Sequence, residues 1–391
     1  MQLRHGQVRL RSASCESAPS NDPASSKYQW LVMPPCRLPP RRFTQRHRIG
    51  QRRILSLGSS VLAVHGRSSS TSPSSANRSA TMVSRQSLAN KAHYEILAEA
   101  WRSGRELPPE VSEWSVLTAE PGGVDYVEAN LGDKTALWVR PKLAAEDRVM
   151  LYLHGGGYVG GSIWTHRKMV GHIAKAIGCY ALLATYDYSF QSKFPRQIEQ
   201  AVTAFEWLAE QGIRPEQIIG AGDSAGAGLI IAAAMKLRDI GRPLPAAILS
   251  ISGWHDLSAS GLSYEANREK DVFFQKATVD MLASQVLAGA DPRHPFASPI
   301  FADLKGLPPI YLQAGEDETL LDDSRALADR AKADGLEVRL DVFPGMLHSF
   351  QMMAGRAPEA DEAIERFAQW VRPKLGLTGT TATRGEGQEV A

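Results

Sequence analysis

The chain has 391 residues, 43% of them apolar and 22% charged, with a formal net charge of +2. That is enough for one large globular domain plus appendages, and it excludes a collagen-like chain or one without a core. No run of about 18 apolar residues marks a membrane helix. Of the three cysteines only Cys179 lies beyond residue 81, so no disulfide framework is available there.

Residues 1–81 differ from the rest. They carry 13 Arg or Lys against Glu16 and Asp22, a balance of +11 that leaves −9 on the remaining 310 residues. Such a segment offers too little apolar surface to offset the entropy of ordering it. Its Arg- and Ser-rich composition fits an organellar transit peptide. The run Ile54 to Val64 after the basic stretch Arg46 to Arg53 faintly resembles a signal h-region, but it starts far from Met1. The preferred reading is that translation begins at Met82, which makes the enzyme part cytoplasmic. A basic arm for nucleic acid has no accompanying binding fold. Residues 377–391 read as a flexible tail.

Beyond residue 82, an amphipathic helix spans Ala89 to Arg105. Val124 to Asn130 and Thr135 to Arg140 then read as antiparallel strands joined at Gly132-Asp133. Arg148 to Leu153 is a buried strand running into His154-Gly155-Gly156-Gly157. Helical stretches follow at Thr165 to Ile177, Ile198 to Gln211, Ala225 to Arg238, Asp322 to Ala333 and Ala360 to Lys374, alternating with strands. Alternation of this kind predicts an α/β fold: a mostly parallel sheet flanked by helices on both faces.

The chemistry sits at strand ends. Gly222-Asp223-Ser224-Ala225-Gly226 follows the apolar run from Gln217 to Ala221 and precedes a helix-forming run. This is the G-x-S-x-G elbow in its required strand–turn–helix context, where the serine Oγ projects from a tight turn. The glycine run after His154 can turn N–H groups toward an oxygen that becomes negative in acyl transfer. The expected donors are Gly155, Gly156 and Ala225, with His154 shaping the loop. The strand Pro309 to Gly315 ends at Glu316-Asp317-Glu318, and Val338 to Phe343 leads to Pro344-Gly345-Met346-Leu347-His348. Serine, acid and histidine therefore follow in the order this arrangement demands. His348 is the expected general base. Asp317 is the chosen carboxylate to orient it; Glu316, Glu318, Asp322 and Asp323 compete and read as helix-start or solvated charges.

Four motifs in this order resemble the hormone-sensitive-lipase group of α/β-hydrolases, the bacterial family IV esterases. They are His154 to Gly157, Gly222 to Gly226, Asp317 to Asp322 and Phe343 to His348. Gly160 to Arg167, Gly253 to Ser258 and Ala297 to Leu304 are also similar to that family, so the resemblance covers about Ser87 to Leu375. It implies an α/β-hydrolase fold with an eight-stranded sheet, a Ser224–Asp317–His348 triad and an ester substrate hydrolysed through an acyl-enzyme. It further implies that segments near 85–120 and 257–296 form a helical cap. Trp164 and Trp254 are the candidates for lining an acyl pocket.

One tract departs from the family. Where members carry Tyr-Arg-Leu-Ala-Pro-Glu, this chain has Tyr186-Asp187-Tyr188-Ser189-Phe190-Gln191. Both charged positions change together, which a buried pair tolerates better than the loss of one partner. No cofactor and no metal is expected, and His166 and His172 do not have ligand spacing. The expected partner is a small-molecule ester, not nucleic acid or an integral membrane, and a homodimer is left open. The favoured function is hydrolysis of short- to medium-chain acyl esters, with lactones and amides in the same chemical reach. The alternative is a non-catalytic small-molecule receptor on the same scaffold; such receptors typically lack the histidine that His348 supplies here.

Overall fold

A computed structural model of the chain describes residues 83–108, 111 and 114–377. The expectations for residues 1–82 and for the tail beyond 377 fall outside the described residues.

Eight strands form one sheet, in the spatial order β1-β2-β4-β3-β5-β6-β7-β8. β1 (Val124–Leu131) and β2 (Lys134–Pro141) pair antiparallel through a two-residue turn, and β2 pairs antiparallel with β4 (Cys179–Ala184). From β4 onward the sheet is parallel: β3 (Ala145–Leu153), β5 (Ile218–Asp223), β6 (Ala247–Ile251), β7 (Ile310–Gly315) and β8 (Val338–Phe343). The central strands β5, β6 and β7 are buried along their whole length. Their sequences accordingly read as continuous apolar runs without alternation. β8, at the edge, is only half-buried.

Helices cover both faces. α2 (Ile163–Ile177) and α8 (Pro358–Val371) pack one face through residues such as Met169, Ile173 and Phe367. α3 (Arg196–Glu210), α4 (Ala225–Asp239) and α7 (Leu321–Ala333) cover the other through Ile198, Phe205, Ile230 and Leu327. α4 is buried almost all round, which explains an Ala- and Ile-rich run with no polar face. α2 starts at a capping box between Ser162 and Thr165, which carries the helix two residues beyond the start expected at Thr165.

Two segments lie outside this sandwich and meet each other. α1 (Arg85–Ser103) buries Tyr94, whose ring stands 5.2 Å from Trp114 and 6.1 Å from Phe273. Trp114 and Phe273 are 5.5 Å apart, and Phe273 leads to Phe274 at 4.7 Å. Phe273 and Phe274 belong to the stretch between β6 and β7, which holds the short helix α5 (Ser263–Ala266) and α6 (Lys276–Leu287). An aromatic cluster thus joins the two segments expected to form the cap.

The departing tract finds a new partner within the sheet. Asp187 pairs with Lys134 of the β1–β2 hairpin and accepts the Ser192 hydroxyl at 2.9 Å. Burial pushes its carboxyl up, but hydrogen bonds from Lys134, Ser192 and Gln200 outweigh that and leave it below its ordinary value. Gln191 accepts the Tyr188 N–H at 2.9 Å. A surface-linked pair therefore stands where the family pattern predicts another charge arrangement, and the loop is held.

Candidate active site

β5 ends at Asp223, and the chain reverses through Ser224 directly into α4. Ser224 has φ 52° and ψ −123°, a conformation that costs a non-glycine residue on the order of 1–3 kcal/mol. The turn closes only because the flanking backbone approaches without side chains. A Cβ on Gly226 would overlap the Leu153 carbonyl oxygen at the end of β3, and one on Gly222 would overlap the Gly226 carbonyl. The serine carbonyl accepts the Trp254 N–H at 3.0 Å.

Asp223 ties this elbow to the glycine loop after β3. Its carboxylate is buried and accepts the Gly155 N–H and the Tyr152 hydroxyl, both at 2.9 Å. His166 Nε2 lies 3.4 Å from its other oxygen. Burial works to raise the Asp223 carboxyl, but His166, Tyr152 and the Gly155 N–H hold it below its ordinary value. The expectation for Gly155 as an oxyanion donor is therefore corrected: its N–H is taken by a carboxylate that burial obliges to find donors. The loop then turns at Gly156 (φ 120°) and Gly157 (φ 61°). A Cβ at Gly156 would overlap the Gly160 carbonyl. Ala225 is the first residue of α4, where a backbone N–H has no intrahelical partner.

His154 shapes this loop. It is buried and its Nδ1 lies 2.8 Å from the Gly155 carbonyl. Its ring stacks on Tyr186 at 4.6 Å, and its own carbonyl accepts the Tyr186 hydroxyl at 2.7 Å. Burial lowers its pKa to about 4, so it is neutral near pH 7.

The carboxylate beside His348 is that of Glu318. His348 Nδ1 lies 2.8 Å from Glu318 Oε2, and both side chains are buried. Glu318 Oε1 accepts the Gly315 N–H at 2.8 Å. Asp317 faces the other way and pairs with Lys270 at 2.9 Å near the surface. The backbone imposes this. Glu316 N–H bonds the Phe343 carbonyl at 2.9 Å and Asp317 N–H bonds the Met346 carbonyl at 3.0 Å. The turn after β7 is thereby fixed, and Glu318 is the residue whose side chain enters the protein. Asp317 is thus not the carboxylate beside His348. The only sequence signal for Glu318 is the apolar run it precedes, since Leu320 and Leu321 are buried.

The other competitors build scaffold. Asp322 accepts the Ser263 N–H at 2.8 Å. Asp323 is buried, not solvated, and accepts the N–H groups of His255 (3.0 Å) and Asp256 (2.9 Å). Burial and the nearby Asp256 push its carboxyl well up. His255 is buried too, and its pKa is lowered to about 3 by burial.

His348 is one residue from the elbow's own network. Ser349 Oγ lies 3.4 Å from Asp223 Oδ2, and the Ser349 N–H donates to Ser252 Oγ at 2.9 Å. The Tyr94 hydroxyl of α1 donates to the His348 carbonyl. With Nδ1–H given to Glu318, His348 Nε2 carries a lone pair; this atom is buried and has no hydrogen-bond partner among the described residues. The Phe274 ring lies over the imidazole at 4.2 Å. A buried imidazole nitrogen without a hydrogen-bond partner among the described residues, and a serine on an elbow, are groups that nucleophilic acyl transfer uses.

The two tryptophans separate. Trp254 is buried behind the elbow, its indole N–H on the Asp256 carbonyl at 3.1 Å and its ring 6.1 Å from Tyr158. Trp164 is on the first turn of α2 and is 45% exposed. Cys179, first in β4, is buried, and burial pushes its thiol up to about 12. Among the described residues no group of three or more His, Cys, Asp or Glu is placed to hold a metal, and no helix is long and apolar enough to cross a membrane.

The sheet order, the elbow and the site after β7 and β8 define a serine hydrolase of the α/β-hydrolase class. A family model described as the alpha/beta hydrolase fold matches residues 150–352. An acetyl-hydrolase of Streptomyces hygroscopicus is 42% identical over 261 residues, covering 66% of this chain and 85% of that one. A carboxylesterase/phospholipase of Mycobacterium tuberculosis is 30% identical over 311 residues, 77% of this chain and 82% of its own. Among solved structures, an esterase from the bacterial hormone-sensitive lipase family superposes with a TM-score of 0.70 at 38% identity, covering 75% of this chain and 100% of that one. The chain belongs to the hormone-sensitive-lipase-like, family IV branch of the α/β-hydrolases, and it is a carboxylic ester hydrolase.

Proposed function

We propose that the chain hydrolyses small acyl esters through a Ser224–His348–Glu318 triad, with the N–H groups of Gly156, Gly157 and Ala225 as the oxyanion hole. The observation that carries this reading is the buried His348, bonded through Nδ1 to Glu318 at 2.8 Å and unpartnered at Nε2. His348 Nε2 removes the Ser224 proton as Oγ attacks the ester carbonyl, and the oxyanion forms against the three N–H groups. The protonated imidazole then gives its proton to the departing alkoxide, leaving an acyl-serine. Water attacks the acyl-serine with the same histidine as base, and the acid and Ser224 are released. Glu318 keeps Nδ1 protonated and stabilises the imidazolium. In the free enzyme Nε2 makes no hydrogen bond to Ser224; bonds of this kind tighten when substrate arrives.

Short acyl groups suit the apolar walls that close on the site. Phe274 lies over His348, Tyr158 and Trp254 stand behind the elbow, and Leu282 of α6 packs against Gly157. The names of relatives agree with a short acyl group: one is an acetyl-hydrolase, and a crystal structure of the esterase EstE5, 36% identical, was soaked with p-nitrophenyl butyrate.

Ser224→Ala should abolish hydrolysis of p-nitrophenyl acetate and butyrate while leaving the melting temperature near that of the parent. An organophosphonate should label the parent at Ser224 only. Labelling elsewhere, or an alanine variant with substantial activity, would overturn the mechanism. Graded p-nitrophenyl esters, beside lactones and an anilide, fix the acyl preference.

A further inference from the structure

Asp271, in the cap segment ahead of α6, is fully buried, and among the described residues it forms no ion pair. A carboxylate placed so is costly unless donors surround it. Three backbone N–H groups do. Oδ1 accepts those of Phe273 (3.2 Å) and Phe274 (3.1 Å), and Oδ2 accepts that of Thr319 (2.9 Å). Thr319 directly follows Glu318. The Thr319 hydroxyl, with one proton to give, donates to the Phe274 carbonyl at 2.6 Å and lies 3.3 Å from the same Asp271 oxygen.

The peptide on either side of Glu318 is thus gripped from the cap. Asn267 Nδ2 donates to the carbonyls of Glu318 (2.9 Å) and Glu316 (2.8 Å), while Asp271 holds the next N–H. The same carboxylate fixes the backbone of Phe274, whose ring rests on His348. This carboxylate therefore links the N–H of Thr319, next to Glu318, to the N–H of Phe274, whose ring lies over His348.

We propose that Asp271 is a positioning residue: it sets Glu318 through the Thr319 N–H and seats Phe274 on His348, so that the cap and the triad are assembled as one unit. The proposal rests on the triad reading given above. Asp271 touches neither substrate nor reacting atoms, so its effect travels through Glu318 and His348. An asparagine of the same shape cannot replace it, because its amide would set N–H groups against N–H groups.

The test is a double-mutant cycle on the full chain, with rates on p-nitrophenyl butyrate normalised to the folded fraction from near-ultraviolet circular dichroism. Asp271→Asn should lower kcat on the order of 10²-fold, the cost of a misplacement of about 1 Å, with KM changed less than about threefold. In a Glu318→Gln background the same change should cost under about threefold, because coupled residues are not additive. An equal loss in both backgrounds, or a loss that vanishes on normalisation, means that Asp271 only supports the fold and overturns the proposal. If Asp271→Asn does not fold, Thr319→Val removes the hydroxyl link alone; a several-fold loss in the parent but not in Glu318→Gln supports the coupling, and equal effects overturn it. A Glu318→Gln enzyme as active as the parent would overturn the triad reading itself, and is visible in the single variant.

Discussion

Glu318 uses both carboxylate oxygens, one on the Gly315 N–H and one on His348 Nδ1, each at 2.8 Å. Asp317 uses its carboxylate on Lys270, in a half-exposed position where an ion pair contributes about 0–1 kcal/mol. The two residues therefore predict opposite outcomes. Glu318→Gln should lower kcat about 10⁴-fold, by analogy with loss of the orienting carboxylate in serine proteases. Asp317→Asn should leave kcat within about twofold. Steady-state kinetics on p-nitrophenyl butyrate check both, and the reverse ranking would restore Asp317 to the site. Ser224 and His348 were legible because their motifs constrain them: the elbow needs its glycines, and the histidine follows its strand at a set distance. Adjacent carboxylates in one turn carry no such constraint. Which of them enters the protein depends on the bonds of Glu316 and Asp317 to β8 and its following loop, long-range contacts that no local pattern records. Gly155 escaped for a related reason, since the bond that occupies its N–H comes from Asp223, 68 residues away.

At the level of elements, the sheet and its flanking helices were readable because buried parallel strands and amphipathic helices have distinct apolar periods. β8 begins and ends where its alternation places it, and most helix limits shift by only a residue or two. The two segments outside the sheet and its helices were less legible. α1 carries exposed Leu88 and Ile96 among its polar residues, and of the contacts that bind it, those of Tyr94 with Phe273 and with His348 are far apart in sequence, the latter by 254 residues. Helix α6 approaches the glycine loop after β3 so closely that a Cβ on Gly157 would meet Leu282 Cδ1 at 2.9 Å. Leu282→Ala should then open space beside the loop. The expected result is a rise in kcat/KM for hexanoate and octanoate esters relative to acetate, with a loss of stability of roughly 2–4 kcal/mol, as for other buried Leu→Ala changes. An unchanged chain-length profile would show that α6 does not wall the acyl side.

For the whole molecule, two buried histidines make stability depend on pH. The pKa of His154 is lowered to about 4 and that of His255 to about 3, against 6.5 when unburied. Between about pH 6.5 and pH 4 the unfolded chain therefore binds both protons and the folded chain refuses them. Stability rises with pH across that window and is lost as pH falls through it, by roughly 1.4 kcal/mol per pH unit for each histidine. The raised carboxyl of Asp323 works in the opposite sense, so the histidine contribution is read by comparison: urea unfolding at pH 7, 6 and 5 should give a shallower pH dependence in His255→Gln than in the parent, and equal slopes would mean that the His255 ring is accessible to protons in the native state. Charge divides the chain as well: residues 1–81 carry +11 and the remainder −9. Every residue assigned to the site lies beyond 150, and the N-terminal anchor of the described protein is at Ser84 and Ser87. Ser84 donates to Glu359 of α8 through its N–H and its hydroxyl, both at 2.7 Å, and Ser87 donates at 2.8 Å. Burial would raise the Glu359 carboxyl, but these donors hold it below its ordinary value. A chain beginning at Met82 keeps this anchor and Tyr94 together, so it should retain the parent's kcat/KM within about twofold and its melting temperature within about 3 °C, with a markedly acidic isoelectric point. A chain beginning at Arg105 lacks α1, frees the His348 carbonyl from Tyr94 and uncovers the aromatic cluster. It should lose most of its activity and many degrees of stability. Differential scanning fluorimetry and esterase assays on the three lengths decide the matter: a Met82 chain several-fold less active than the parent would make residues 1–81 a working part of the enzyme.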